Sequence, residues 1–365
     1  MNSLTKKGLC MSETTPKNTG KLKVDPYRLR KLLIARGWTL EELQEASLVS
    51  KQTAQRLIRG GETRMSTLRD VAAALGVRPM DLVHPSEYEP EEIAVAAPSS
   101  GDWEITAPVG LMQAASNGLT FRIFRMQHRH QPARFGRGKR YELFELPTDE
   151  KERLRTQLVR HMEVCDATGR SPQLPVCYAA FPEPSQWVWW IVDEWVDAAP
   201  LIDQLDGDPL PLPRVACWAL ELAEGIGSLH AAKVIRRELN PSNVHVRDAD
   251  GTLLLTDFEL AKLCGDGPTV SGEWPDDPYR APEIGAGEPT TAADLYSWGR
   301  LVAHLVAGVL PARGKELAAV QKRLSSRVAH VVAHCTQLPP SERCQSVDEI
   351  MPTVRAWAKE TGGAD

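Results

Sequence analysis

Apolar residues between positions 21 and 84 recur at helical spacing and predict four or five short helices. Asp25 caps the first helix, which Gly37 ends, and Thr39 to Glu42 form a capping box that opens the second. A three-residue turn, 47–49, leads to a third helix over 51–59 that Ser50 caps; Ser66 caps a fourth. A short turn between the second and third helices predicts an all-α helix-turn-helix bundle.

The pattern changes after an acidic and then Pro/Ser-rich stretch, 85–102, which is predicted to be a linker. From Trp103 onward, strand-like alternation comes first and helical periodicity later, typical of an α+β domain over 103–361. Predicted strands lie at 103–109, 119–126, 140–146, 176–181 and 186–195. Residues 1–20 are polar and without pattern, as in a disordered tail.

Charge and cysteine content narrow the functional classes. The 365-residue chain has a net charge of -5, yet residues 21–84 carry twelve Lys and Arg against seven Asp and Glu. A basic segment over 21–84, the head of the chain, on an otherwise acidic protein favours a polyanionic partner for that segment alone. Seven cysteines without a CxxC pair indicate reduced thiols in a cytoplasmic protein. No segment approaches the ~20 apolar residues that span a bilayer, so no membrane association is expected.

The register from Val49 to Gly60 resembles the recognition helix of the Cro/C1 (XRE) helix-turn-helix family. The resemblance implies a bacterial regulator that places this helix in the major groove of double-stranded DNA. If the protein forms a homodimer, a palindromic operator is expected. By position, the residues that would face DNA are Ser50, Lys51, Gln52, Thr53 and Arg56. The alternative is a small helical bundle whose polar residues form a solvated surface.

Three segments in order resemble the catalytic loop, the Asp-Phe-Gly turn and the Ala-Pro-Glu segment of protein kinases: 236–243, 257–259 and 281–283. The resemblance implies a bilobal fold with an N-lobe over 103–196 and a C-lobe over 197–361. Asn243 and Asp257 stand where the family binds magnesium. Glu238 replaces the aspartate base, and neutral Asn240 replaces the lysine that steadies the transferred phosphate.

The same resemblance assigns further structural and nucleotide-binding positions. Only Gly110 and Gly118 remain of the phosphate-covering loop, and Glu194 and Val196 lie in the hinge that meets adenine. Phe144 falls at or next to the family's lysine, whereas Lys139 lies outside the matching register. No C-helix glutamate is evident; Glu163 comes late. Structural roles are implied for Glu283, Asp294 and Arg343.

These departures predict a catalytically impaired kinase-like domain, a pseudokinase. The first hypothesis is a DNA-binding regulator whose kinase-like domain senses a nucleotide or a protein partner, with ATP and Mg²⁺ as possible ligands. The second is an active, divergent Ser/Thr kinase with a DNA-binding head. The third is an interaction protein in which neither domain binds its family ligand.

Overall fold

The computed structural model describes residues 21–77, 79–83, 101–114, 120–143, 148–183, 188–263, 277–285 and 288–362. Within these ranges, no helix has the length and apolarity needed to cross a membrane. Gly118 and Phe144, and the predicted tail and most of the predicted linker, lie outside the described residues.

The N-terminal unit is a helix-turn-helix bundle, as predicted. Its elements are β1 (Leu22–Lys23), α1 (Pro26–Ala35), α2 (Leu40–Ser47), α3 (Lys51–Ile58), β2 (Glu62–Thr63), α4 (Met65–Ala74) and a 3-10 helix (Pro79–Leu82). The side chains of Asp25 and Ser50 cap α1 and α3, and Thr39 with Glu42 forms the capping box of α2. The fourth helix begins earlier than predicted, since Arg64 and not Ser66 is its N-cap residue.

The N-lobe is a five-stranded antiparallel sheet with one long helix against it. The strands are β3 (Trp103–Ala114), β4 (Thr120–His128), β5 (Gln131–Glu142), β6 (Cys177–Pro182) and β7 (Val188–Glu194), in the order β3-β4-β5-β7-β6. The helix α5 (Thr148–Thr168) packs on β6 and β7.

The third predicted strand was misplaced. The pattern predicted 140–146, whereas β5 covers Gln131–Glu142. The buried positions of this strand, on its two faces, include Gly136, Gly138, Lys139 and Tyr141, so they carry little of the apolar alternation that reveals a strand.

The C-lobe is mainly helical. Its helices are α6 (Leu212–Ala231), α7 (Thr291–Ala307), α8 (Glu316–Val320), α9 (Ser326–Cys335) and α10 (Val347–Glu360), with 3-10 helices at Leu201–Gln204 and Pro340–Glu342. Short strands complete it: β8 (Ala198–Pro200), β9 (Val234–Ile235), β10 (Val244–Arg247), β11 (Leu253–Leu255) and β12 (Lys262–Leu263). Helix α7 is buried over most of its length, and Trp298 on it donates to the carbonyl of Ala219 at 2.9 Å.

A buried carboxylate, Asp294, and a half-buried one, Glu283, hold the C-lobe loops. Asp294 on α7 accepts from the backbone N–H groups of Arg236 and Arg237, each at 2.8 Å, and so fixes the start of loop 236–243. Arg237 has a φ of 68°, a backbone conformation that needs such support. Glu283 receives a bidentate pair from Arg343 at 2.6 and 2.9 Å.

The helix-turn-helix bundle contacts the C-lobe through α1 and the end of α3. Arg30, almost fully buried, donates to the carbonyl of Ile202 at 3.3 Å and lies 3.5 Å from Asp203. Ile34 packs against the C-lobe hydrophobic core. Arg59 makes weaker ion pairs with Asp206 and Asp208, at 3.8 and 3.7 Å.

Candidate active site

A cavity of about 420 Å³ lies between the two lobes. Strands β3 to β5 form one wall, and the segment after β7 closes one end. Loop 236–243, strand β10 and residues 256–260 form the opposite wall. Glu238, Asn243, Asp257, Glu194 and Val196, all selected from the sequence, line this one cavity.

A buried ion cluster dominates the inner end of the cavity. Lys139 on β5 is 1% exposed, and its Nζ donates to Asp257 and, at 3.0 Å, to Glu259 Oε1. The Tyr141 hydroxyl donates to the same Glu259 oxygen at 2.6 Å. Although burial opposes ionisation, the charges of Lys139 and Arg137 hold the pKa of Asp257 well below its usual range. Asp257 is therefore ionised at neutral pH.

Lys139 is the buried cation that faces Asp257, although the sequence interpretation had set it aside. That interpretation placed the third strand at 140–146 and put Phe144 at the family's lysine. In the structure, the third strand β5 ends at Glu142. Alternate residues of a strand share one face, so Arg137, Lys139 and Tyr141 line the cavity together. In the sequence, the alternation of these long polar side chains was the signal for the strand. Apolar residues did not alternate with them, so the strand was hard to place.

Helix α5 contributes a buried histidine that contacts Asp193, one of the residues lining the cavity. His161 is fully buried, and its Nε2 lies 2.7 Å from Asp193 Oδ1. The backbone N–H of Phe258 donates to His161 Nδ1 at 3.2 Å. The Asp193 carboxylate acts to raise the pKa of His161, but a backbone donor at Nδ1 requires that nitrogen to be without a proton. We therefore assign the neutral tautomer with its proton on Nε2.

Glu163 does not fill the place of the family's C-helix glutamate. Its side chain is 47% exposed and pairs with Arg160 on the same helix. The second carboxylate beside Lys139 comes instead from Glu259, two residues after Asp257. The ion pair that kinases form between a strand and a helix is thus formed here between β5 and the segment after β11.

The Glu238 carboxylate and the Asn240 amide, both in loop 236–243, already have hydrogen-bond partners. Arg280 Nη2 donates to Glu238 Oε1 at 2.7 Å, and each side chain is 6% exposed. Asn240 donates to Asp277 at 2.9 Å, while its carbonyl oxygen accepts from the N–H of Ser242 at 3.0 Å. Glu238 is therefore engaged as the charge partner of Arg280 and is not free to face a substrate hydroxyl.

The donor set fits a hard divalent cation beside a phosphate. Asn243 and Asp257 supply an amide and a carboxylate oxygen in the same cavity, the ligand types that Mg²⁺ prefers. The Asn243 side-chain nitrogen donates to the carbonyl of Glu238 at 3.2 Å, which leaves its oxygen as the metal-binding atom. Lys139 and Arg137 supply positive charge nearby; Arg137 Nη1 is buried without a hydrogen bond, 3.9 Å from Asp257. An anionic group would satisfy it.

The outer end of the cavity is less typical of a purine site. Val196 lines it, whereas the N–H of Glu194 is engaged with the carbonyl of Val176 at 2.8 Å. Gly110 lies within strand β3. His245 on β10 and Arg137 on β5 bring polar side chains to the cavity. An adenine would therefore have the carbonyl rather than the N–H of Glu194 as a hinge partner.

A second set of ligand-type side chains is self-satisfied. Atoms of His161, Cys177 and Asp193 lie within 4.8 Å of one another, a spacing suited to a metal ion. Both nitrogens of His161 are nevertheless engaged, one with Asp193 and one with the N–H of Phe258. This group works as a structural link between α5, β7 and the residue after Asp257.

The predicted DNA-facing residues lie at the N-terminal end of α3. Ser50, Lys51, Gln52 and Arg56 are exposed and Thr53 is partly so. Ser50 and Thr53 also hold each other, since Thr53 N–H donates to Ser50 Oγ at 3.2 Å. The contacts with the C-lobe given above involve α1 and Arg59 and none of these five residues.

The protein kinase domain model matches residues 144–356, more than half of the chain. The chain belongs to the protein kinase family. A helix-turn-helix model matches residues 29–82. The kinase match begins after β5, so the strand that carries Lys139 precedes the part recognised by sequence.

Similar proteins include several kinases. Serine/threonine-protein kinase C of Synechocystis is 26% identical over 55% of this chain and 41% of its own length. Serine/threonine-protein kinase PkaA of Streptomyces coelicolor is 30% identical over 44% of this chain and 34% of its own length. Serine/threonine-protein kinase PknJ of Mycobacterium tuberculosis is 32% identical over 46% of this chain and 29% of its own length. The chain thus spans less than half of these relatives. A crystal structure of a PknI kinase-domain double mutant from Mycobacterium tuberculosis has a TM-score of 0.55 at 21% identity, covering 73% of this chain and 100% of that one, and so shares the fold.

His245 makes stability depend on pH. Burial, aided by Arg137, lowers its pKa to about 3. The charged groups around it are Arg137, Lys139, Arg236 and Asp257. Below about pH 6.5 the unfolded chain takes up a proton at this histidine and the folded chain does not. The contribution of His245 to the free energy of unfolding is therefore largest above pH 6.5 and is lost as pH falls. We expect His245→Leu to reduce the loss of unfolding free energy between pH 7 and 5 by about 2 kcal/mol.

Urea unfolding of wild type and His245→Leu at both pH values checks this. His304, whose pKa burial also lowers to about 3, contributes equally to both proteins. Identical pH dependence in the two would show that His245 titrates normally in the folded protein.

Proposed function

We propose that this protein is a DNA-binding regulator whose kinase domain binds a nucleotide with Mg²⁺ and is impaired in phosphoryl transfer. The observation that carries the proposal is the buried Arg280–Glu238 ion pair, which occupies the base position of a cavity that otherwise retains Lys139, Asn243 and Asp257. Binding and transfer depend on different residues of the family's set: Lys139, Asn243 and Asp257 belong to the first group, and the changes at Glu238 and Asn240 fall in the second.

Nucleotide binding is supported by charge and ligand type. Lys139 and Arg137 offer positive charge, and Asn243 and Asp257 offer oxygen ligands for the metal. In such a site the metal neutralises phosphate charge; the chain's own residues bind and orient the phosphates. The Lys139–Asp257 contact would open as a metal-bound nucleotide enters, leaving Glu259 as the partner of Lys139.

Impaired transfer is supported by the catalytic loop. A general base must be free to accept the hydroxyl proton, and Glu238 is held by a guanidinium at 2.7 Å. The neutral side chain at Asn240 gives no charge to the transferred phosphate, and it is held by Asp277. Since phosphoryl transfer depends on positioning and electrostatics, these two changes should cost several kcal/mol together.

An active Ser/Thr kinase is the second candidate. It is favoured by Lys139, which supplies the lysine that the sequence interpretation considered lost, and by the similarity to proteins named serine/threonine kinases. The two candidates differ in whether Glu238 takes part in chemistry.

The proposed DNA partner is supported by the exposed N-terminal end of α3 and by the basic charge of residues 21–84. The five described cysteines are free, which suits a reducing cytoplasm. A homodimer on a palindromic site and a protein partner of the kinase domain stay predictions.

Nucleotide binding predicts a clear ranking of variants in isothermal titration with ATP and Mg²⁺. Lys139→Met should weaken binding about tenfold or more, because a charge-assisted phosphate contact is worth about 1.5–3 kcal/mol. Asp257→Asn should abolish the dependence on Mg²⁺. Lys359→Met, an exposed substitution on α10, should change nothing. No heat and no thermal shift for wild type at millimolar ATP would contradict the proposal.

Phosphoryl transfer is expected to be insensitive to Glu238. Radiolabel from ATP should enter wild type, Glu238→Gln and Asp257→Asn at the same background level, with generic protein substrates and by autophosphorylation. Glu342→Gln, on the exposed 3-10 helix, is the matched control. Incorporation by wild type that falls about 100-fold or more in Glu238→Gln alone, the size expected for loss of a general base, would establish the kinase candidate.

DNA recognition is expected to depend on α3. After selection of bound sites from random DNA, Gln52→Ala should lose about 1–3 kcal/mol of preference for the selected site while keeping non-specific affinity. Lys51→Ala should lower affinity for all sequences and reduce the salt slope by about 1. Arg69→Ala, exposed on α4, controls for charge. Absence of binding even at low salt would contradict DNA recognition.

A further inference from the structure

One residue of the helix-turn-helix bundle lines the kinase cavity. Lys31 on α1 borders the same space as Lys139, Glu238 and Asp257. Helix α1 has two buried faces: Leu29 and Leu33 belong to the core of the bundle, and its other face meets the C-lobe. The bundle is thus part of the wall of the site.

The surroundings of Lys31 match those of the missing catalytic-loop lysine. Desolvation at the cavity mouth lowers the pKa of Lys31, and the carboxylates of Asp257, Glu238 and Asp277 act in the opposite direction. Asp277 is also the partner of Asn240, the neutral residue at the family's lysine position. Lys31 therefore lies within electrostatic reach of the group that holds Asn240, on the side where the terminal phosphate would meet Glu238 and Asp257.

The placement of Lys31 is fixed by its neighbours. Arg30 is 6% exposed and bonded to the carbonyl of Ile202, and Ile34 packs on the C-lobe core. These contacts on both sides of Lys31 orient α1, while Lys31 itself is exposed and lines the cavity. The flexible four-carbon stem of a lysine lets its ammonium group follow a ligand in the cavity.

We propose that Lys31 binds the terminal phosphate of a nucleoside triphosphate held in the kinase cavity, supplying the positive charge that Asn240 does not. This rests on the nucleotide binding proposed above. The ligand contact then belongs to both domains, so binding of the triphosphate strengthens the contact between α1 and the C-lobe, and loss of that contact weakens triphosphate binding by the same factor. A diphosphate lacks the terminal phosphate, so its affinity does not depend on Lys31.

The test compares ATP with ADP, each with Mg²⁺, in titrations of the full chain. Wild type is expected to bind ATP more tightly than ADP. Lys31→Met should weaken ATP binding about tenfold or more and change ADP binding less than about twofold, because a charged hydrogen bond to phosphate is lost only for ATP. Lys31→Arg, which keeps the charge, should retain part of the preference for ATP. Lys23→Met, exposed on β1 of the same bundle, is the matched control.

The outcomes separate this inference from the function on which it rests. If wild type binds neither nucleotide, nucleotide sensing itself is wrong. If ATP binds and Lys31→Met leaves its affinity unchanged, the role of Lys31 is overturned while nucleotide sensing stands. An equal loss for ATP and ADP would likewise overturn the assignment to the terminal phosphate, since it would show a general effect on the cavity.

Discussion

The ion cluster of Lys139 with Asp257 and Glu259 joins the two lobes. The lysine belongs to the N-lobe sheet, and the carboxylates follow a strand more than a hundred residues later. Removing one member of a buried cluster typically costs about 3–5 kcal/mol, because the remaining charges stay buried without compensation. Strand β5, the segment after β11 and the cavity between them therefore keep a fixed relation. His161 adds helix α5 to this arrangement through the N–H of Phe258.

Much of the fold follows from local signals. Asp25, the Thr39–Glu42 box and Ser50 mark helix starts within a few residues of chain, so the bundle was predicted nearly element by element. The C-lobe was predicted from tripeptides in order. Strand β5 was misplaced because its inward positions are filled by glycine, lysine and tyrosine, and what pairs with Lys139 depends on residues far along the chain.

The site shows the same limit more strongly. Asn243 and Asp257 were found because they lie in motifs. Glu259 as partner of Lys139, Arg280 as partner of Glu238, and Asp193 as partner of His161 join residues 32 to 120 positions apart, and no spacing rule connects them. Sequence alone could show that Glu238 is a carboxylate; only its neighbour Arg280 shows that the carboxylate is already engaged. Lys31 was unforeseeable because it belongs to another domain.

The acidic residues Asp203, Asp206 and Asp208 give the C-lobe a negatively charged surface that faces the helix-turn-helix bundle. Asp203 pairs with Arg30 on α1, and Asp206 and Asp208 pair with Arg59 at the end of α3. The Arg59 pairs are largely exposed and so individually weak. If the bundle binds DNA as proposed, DNA phosphates would compete with Asp206 and Asp208 for the Arg59 guanidinium. A head released from the C-lobe would engage one more phosphate and displace one more counterion on binding, so its affinity for DNA would fall more steeply with salt.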